Sequence, residues 1–401
     1  MLVFCMLFVG CAGLIESVTE PENGPGESPE DIFRYSVADF SLALLRYSAE
    51  ENAGNNLLLA PASAASVLSV AELGSEGETR AELAAILERA MPSEEYRQEL
   101  SECLRSDNNG TLQSAQMLLV NSNGQSALND TFVRESKAAF DMELRLMPFG
   151  EETRSSVNRW ASKETNGKIA ELMDAIDPGV QVYLLDACSL EEAWTDPYAE
   201  DQVISDAVFT AASGTKRHVT MLSGAQEYYF TPGDGTGFTK SMGDGRHTFF
   251  SILPPEGVSV ESYLSELTGE ELIDAFHELR NDKIVYTQIP EFCFGYDTSL
   301  CDSLRYIGAG RAFSDDAEFV NILVGRRLQI SAFFQKTFIA LDRSGVSASA
   351  GTVMAMGDIA GAAESREVVS IVLDRPFVFG IVDTDSGVPL FLGVLNDPEV
   401  S

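Results

Sequence analysis

The chain has 401 residues and 45% hydrophobic content, enough for one large domain or two to three ordinary ones with a sizeable core. Acidic residues outnumber basic ones 62 to 27, a formal charge of −35. That balance excludes nucleic acid, heparin-like polyanions and anionic membrane surfaces as expected partners, since each needs clustered Lys and Arg, and it reads as solubility or adaptation to a salty medium.

Residues 1–14 are apolar, too short for a membrane span and the right length for the core of an export signal. Phe8-Val9-Gly10-Cys11 resembles a bacterial lipobox, which makes Cys11 a lipidation candidate, although no positively charged segment precedes it. Residues 15–30 form an acidic Pro/Gly tether, the composition that would space a domain from an anchor. An extracellular or cell-surface location, through a lipid on Cys11, is the expectation. Of the six Cys, Cys103, Cys188, Cys293 and Cys301 lie beyond this segment with neither zinc spacing nor a disulfide framework. A Cys293–Cys301 bridge stays open, with thiols preferred.

In chain order, residues 31–48 read as a helix with Phe33, Val37, Phe40 and Leu44 on one face. A short buried strand at 56–60 precedes a helix that starts at Pro61 and ends near Gly74. Thr79-x-x-Glu82 reads as a capping box. A strand at 113–121 and helices at 131–140 and 155–161 lead to the nearly continuous apolar run 180–190, which reads as a central strand. Strands follow at 203–210, 218–222, 226–231, 248–253 and 283–294, interrupted by helices at 259–267 and 270–279. A helix at 299–307, a strand-like run at 328–341 and strands at 368–373, 377–383 and 389–394 complete the chain. Helices gather in the first half and strands in the second, the pattern of an α+β fold.

Between the last long strand and residue 367 lie about twenty-five small, lightly charged, Pro-free residues, and a loop of that length inside a domain is usually functional or disordered. This one alternates: Val346, Ala348, Ala350, Thr352, Met354 and Met356 share one parity, the period of a strand with one buried face. The loop is composed to become a strand. Enzyme chemistry is scarce by contrast. G-x-S-x-G, H-E-x-x-H and phosphate-loop motifs are absent, and His218, His247 and His277 are isolated in sequence. Gly233-x-Gly235-x-Gly237 reads as a flexible loop, Asp383-x-Asp385-x-Gly387 as a hairpin turn, and neither a metal nor a cofactor is expected.

A set of ordered motifs resembles the serpin family of serine-protease inhibitors over residues 31–398. It comprises Asn56-x-x-x-x-Pro61-x-Ser63, Leu73-Gly74-x-x-Gly77-Glu78-Thr79, Asn158-x-Trp160-x-x-x-x-Thr165-Asn166-Gly167-Lys168-Ile169 and Trp194. Leu253-Pro254, Ile289-Pro290-x-Phe292, Ala312-Phe313-Ser314, Asp374-Arg375-Pro376-Phe377 and Phe391-x-Gly393 follow in order. The resemblance implies a single domain over 31–401, with three β-sheets, eight or nine helices and an exposed reactive loop at about 343–366. It also implies a suicide-substrate mechanism, in which a protease cleaves the loop as acyl-enzyme and the cut loop inserts into the central sheet.

Carried onto this sequence, the hinge is Gly345, Val346, Ser347, Ala348, Ser349, Ala350, Gly351 and Thr352. Its small residues suit insertion, while β-branched Val346 stands where Thr or Ser is usual and should slow it. Counting from the hinge places the reactive bond at Ile359-Ala360; counting back from Pro376 places it at Ser365-Arg366. The first is preferred because the apolar parity ends before Asp358, and it suits an elastase- or subtilisin-like serine protease. The second suits a trypsin-like one, and a cysteine protease target stays open. A monomer is expected. The sheet-opening region would comprise Ser63, Asp186, Trp194 and Gln335; Asp186 replaces the family's usual Asn and Gln335 its usual His. The expectation is that Gln335 donates to the Asp186 carboxylate, with Ser63 or Ser66 as further donors, and that the pair tunes sheet opening. The alternative reading is a non-inhibitory binding or storage protein on the same fold.

Overall fold

The computed structural model describes residues 28–88, 91–104, 111–122, 124, 127–243, 245–346 and 367–398. Among them are nine α-helices, three sheets of six, four and seven strands, and a two-stranded ribbon. The first helix, Pro29–Glu51, begins on a Ser28–Asp31 capping box with Pro at its first position, which satisfies its leading amides. The second, Pro61–Leu73, is small and apolar on every side (PASAASVLSVAEL) and buried at all but its last residue. A helix of that kind belongs inside a fold, and this one lies between two sheets.

In front of it stands the seven-stranded sheet. Its main path runs Glu143–Met147, Leu112–Asn121, Val182–Leu190, Ala332–Leu341 and Phe292–Ser299. All nine residues of Val182–Leu190 are buried, as a central strand covered on both faces must be. Alternate residues split the sheet between two cores. Leu118, Val120 and Leu184 face the main one; Met117, Leu119 and Leu185 face a second, roofed by the Glu151–Glu164 helix through Val157 and Ala161. Behind lies the six-stranded sheet, which includes His247–Leu253, Phe377–Asp383 and Pro389–Leu395 and is filled by Phe249, Phe250, Phe377 and Phe379. The four-stranded sheet joins Val368–Val372, Ile284–Pro290, Lys216–Gln226 and Val203–Thr210.

Several expectations are corrected. Thr79 is no N-cap: its helix, Gly77–Leu87, starts two residues earlier, and the Thr79 hydroxyl instead accepts from the Glu318 amide at 3.0 Å. The run 283–294 is two strands that part at Glu291 and enter different sheets. Gly237 belongs to a strand, Thr236–Ser241, not to a flexible loop; a Cβ there would come 2.5 Å from the Ser251 carbonyl, so glycine is what lets the two strands pack. The three His are not isolated in space, as His218 meets Asp206, His247 meets Glu192 and His277 meets Arg34. The Gly387 turn, at φ +71°, does close a hairpin.

Candidate functional site

Two regions of the seven-stranded sheet gather the residues singled out above. The first is where the long loop leaves. The strand Ala332–Leu341 ends in a turn held by Asp342, whose Oδ1 accepts from the Ser344 amide at 2.6 Å and the Gly345 amide at 3.2 Å. The chain then reverses. Gly345–Val346 forms the start of a strand, antiparallel to its predecessor at Leu341↔Val346 and antiparallel on its other side to Glu192–Ala193. Gly345 is required there, because a Cβ would stand 2.3 Å from the Glu192 carbonyl oxygen and 2.5 Å from the Ala193 Cα. Val346 is buried, at 1% exposure.

Trp194 clamps this turn. Its ring nitrogen donates to the Asp342 carbonyl and its amide to the Ser344 carbonyl, both at 2.9 Å. The indole packs edge-on to Phe249, and the Lys240 ammonium sits 5.4 Å from its centre and 4.4 Å from that of Tyr198. Burial pushes Lys240 down to about 8, and its Nζ donates to the Asp196 backbone carbonyl at 2.9 Å. Beneath the turn, the buried Glu192 side chain meets His247 Nδ1 at 2.6 Å.

Below Gly345–Val346 the seam closes. Val182–Leu190 and Ala332–Leu341 pair directly and in parallel, from Ala332↔Tyr183 to Phe338↔Ser189. Two parallel neighbours admit between them a strand antiparallel to both, which is the direction Gly345–Val346 already takes. Such a strand would replace the seven residue pairs of that seam with two new ladders.

The second region lies behind the middle of this seam. Asp186, fully buried, accepts from Ser63 Oγ at 2.6 Å and Gln335 Nε2 at 2.7 Å, with the Cys188 thiol at 3.5 Å. Ser66 takes no part, since its hydroxyl donates to the Ser63 carbonyl. The Gln335 amide is locked on the other side by Ala60, accepting from its N–H and donating to its C=O at 3.0 Å each. Ser63 is held in turn by Gln116 Nε2 at 2.7 Å and by Ser114 Oγ at 2.9 Å. Burial pushes the Asp186 carboxyl up to about 6, and the Ser63, Gln335 and Cys188 hydrogen bonds offset only part of that. Ser63, Asp186 and Gln335 thus meet at one point, on three elements. Ser114 and Gln116 complete the cluster; sequence reasoning missed them because polar residues on an alternating strand carry no local sign of a partner more than fifty positions away.

Trp194, Gly345 and Val346 meet at the loop's exit. Ser347, Ala348, Ser349, Ala350, Gly351, Thr352, both candidate reactive bonds (Ile359-Ala360 and Ser365-Arg366) and Cys11 lie outside the described residues. Cys293 and Cys301 are both free thiols.

This architecture has known counterparts. The family model described as serpin (serine protease inhibitor) matches residues 35–398. Serpin-Z2A of Triticum aestivum is 27% identical over 386 residues, covering 90% of this chain and 94% of the relative. Alpha-1-antiproteinase of Rattus norvegicus is 25% identical, covering 90% and 88%. Among solved structures, the thermophilic serpin tengpin in its native state superposes with a TM-score of 0.83 at 27% identity, covering 91% of this chain and 94% of that one. The same protein in its latent state gives 0.77 at 25% identity, covering 92% and 98%. Thyroxine-binding globulin in complex with thyroxine shares the fold, at 0.78 and 19% identity. The chain belongs to the serpin family.

Proposed function

We propose that this serpin inhibits serine proteases as a suicide substrate, and the observation that carries the reading is the seam of the seven-stranded sheet. Its two parallel strands are paired and unfilled, and the first two hinge residues already run antiparallel between their upper ends. Completing that strand needs only the alternating, Pro-free composition that follows Val346 in the sequence. In this reading the protease attacks at Ile359-Ala360, the acyl-enzyme forms on Ile359, and insertion carries it away before deacylation. An elastase- or subtilisin-like pocket suits Ile359; Ser365-Arg366 would call for a trypsin-like one. The protein acts outside the cell or at its surface, tethered through Cys11 if that residue is lipidated.

Incubation with elastase, subtilisin and trypsin in turn, followed by a denaturing gel and mass spectrometry of the junction, tests this directly. A complex that survives denaturation, with the acyl bond on Ile359, is the expected result. Cleavage by all three without complex sinks the inhibitory reading and leaves a binding or storage role, to which the thyroxine-binding neighbour is a parallel in fold alone.

A further inference from the structure

The four-stranded sheet ends on Val203–Thr210, an edge strand paired only with Lys216–Gln226. No strand lies beyond it among the described residues, and its far end is tied off where the Thr210 amide donates to the Asp374 carbonyl at 2.7 Å. A free edge presents unpaired amides and carbonyls, a template for another strand. The pairing of this one is broken once. Ile204 faces Met221 and Ala207 faces Val219, so Ser205 and Asp206 together oppose Thr220. That is a β-bulge with one extra residue.

The extra residue is strained. Asp206 sits at φ +62°, in the left-handed region that favours glycine. His218 Nδ1 stands 2.6 Å from Asp206 Oδ1 across the hairpin, and both side chains are exposed. Yet the sheet does not need this residue. Taking it out would leave the other pairs as they are: Val203 with Leu222, Ile204 with Met221, Ala207 with Val219 and the buried Phe209 with Arg217. What would change is the edge. The strand would read Val203-Ile204-Ser205-Ala207-Val208-Phe209-Thr210, with no charge, no Pro and no Gly, and mostly β-branched or aromatic. Segments of that composition pair with copies of themselves. Ile204 and Val208 are already 38% and 43% exposed, apolar surface that a neighbouring strand would cover. Asp206 puts a kink and the strand's one charge in the middle of this run.

We propose that the Asp206 bulge guards this edge, keeping it from pairing antiparallel with the same edge of a second copy of the chain. Two antiparallel copies of one edge satisfy a two-fold axis, so a single contact would join both four-stranded sheets into one continuous sheet. The strain at Asp206 is kept because the kink and its His218 partner spoil that register. The guard does not depend on the inhibitory reading and can be measured without any protease.

The test is sedimentation velocity on the full chain at about 100 µM, in about 0.5 M NaCl so that repulsion between two strongly acidic copies is screened. The unaltered chain should run as a monomer, and deletion of Asp206 should tighten self-association by at least about tenfold, giving a dimer. Adding Val208→Lys to the deletion puts a charge back on the edge and should restore the monomer. A folded deletion variant that stays monomeric overturns the proposal. So does a deletion dimer that Val208→Lys leaves intact, since the contact would then lie elsewhere. If the deletion does not fold, Asp206→Gly and Asp206→Val decide. Both lose the charge at constant length, but glycine keeps the positive φ readily and valine does not. The valine variant should associate and the glycine variant should not; equal behaviour of the two overturns the proposal.

Discussion

Replacing Asp186 by Asn isolates the cost of the buried carboxylate. Its folded-state value of about 6 lies above the ordinary 3.8, so folding disfavours the ionised form. The unfavourable contribution is complete above pH 6, fades as pH falls through 6, and vanishes below 3.8. A gap of about two pH units, at about 1.4 kcal/mol each, makes it about 3 kcal/mol at pH 7.5, about 1.5 at pH 5 and about 0.5 at pH 4. Asn fits the same hydrogen bonds if its Oδ1 faces Gln335 and its Nδ2 faces Ser63, whose oxygen then accepts from both Gln116 and the new amide. Asp186→Asn should therefore be more stable, by about 3 kcal/mol at neutral pH, or about 4 °C in thermal midpoint for a chain of this size. The advantage should shrink to almost nothing at pH 4. The assay is thermal unfolding of both proteins from pH 4 to 8, read as the difference between them, which cancels the titration of every other group. A difference that is flat with pH, or of opposite sign, refutes the electrostatic account. An unchanged midpoint together with an unchanged rate of protease inhibition would falsify the idea that this pair tunes sheet opening.

Further perturbations probe neighbouring features. Gly345→Ala should lower the midpoint by the equivalent of about 1–3 kcal/mol, because its Cβ has nowhere to go beside Glu192 and Ala193; calorimetry showing no loss would mean the hinge is not seated as described. Trp194→Phe keeps most of the ring packing but leaves the Asp342 carbonyl without its donor, and should cost about 1–2 kcal/mol in denaturant unfolding. Glu88 is pushed up to about 7, chiefly by burial, so its ionised form is also disfavoured. Glu88→Gln should accordingly stabilise the protein above pH 7 and lose that advantage between pH 7 and 4.5, with the pH dependence of the midpoint as the measurement. Cleavage of the loop by a non-target protease should raise the midpoint if the cut strand enters the seam, and leave it unchanged if it does not.

The long strands were legible because their side-chain pattern is strong. Val182–Leu190 is apolar throughout, and Ala332–Leu341 alternates buried and half-buried residues without a break. The strand Glu143–Met147 carries no sequence signal because it is a sheet edge whose residues are exposed or half-buried, so no face stands out. Gly233-x-Gly235-x-Gly237 reads as a loop because glycine is a poor strand former, which hides the start of the strand Thr236–Ser241; only the sheet it packs in explains Gly237. The break at Glu291 is invisible in composition, since both halves are strand-like and only the tertiary arrangement sends them to different sheets. The candidate site was partly legible for a related reason. The meeting of Asp186 with Gln335 followed from the family resemblance. Glu192 and His247 joined the hinge seat through long-range contacts that no local pattern announces.

The chain has two tryptophans, Trp160 and Trp194. One lines a cavity at the sheet margin, with the Arg145 guanidinium 5.9 Å from its ring; the other is sealed beneath the turn from which the loop departs. The protein therefore carries two intrinsic fluorophores of contrasting surroundings. With Trp160 replaced by Phe, emission from the remaining indole follows the departure of Asp342 and Ser344 from their donors in real time. With Trp194 replaced instead, the signal follows events at the cavity. Stopped-flow fluorescence on this pair of variants would put separate clocks on the top and the side of the sheet, without an added label.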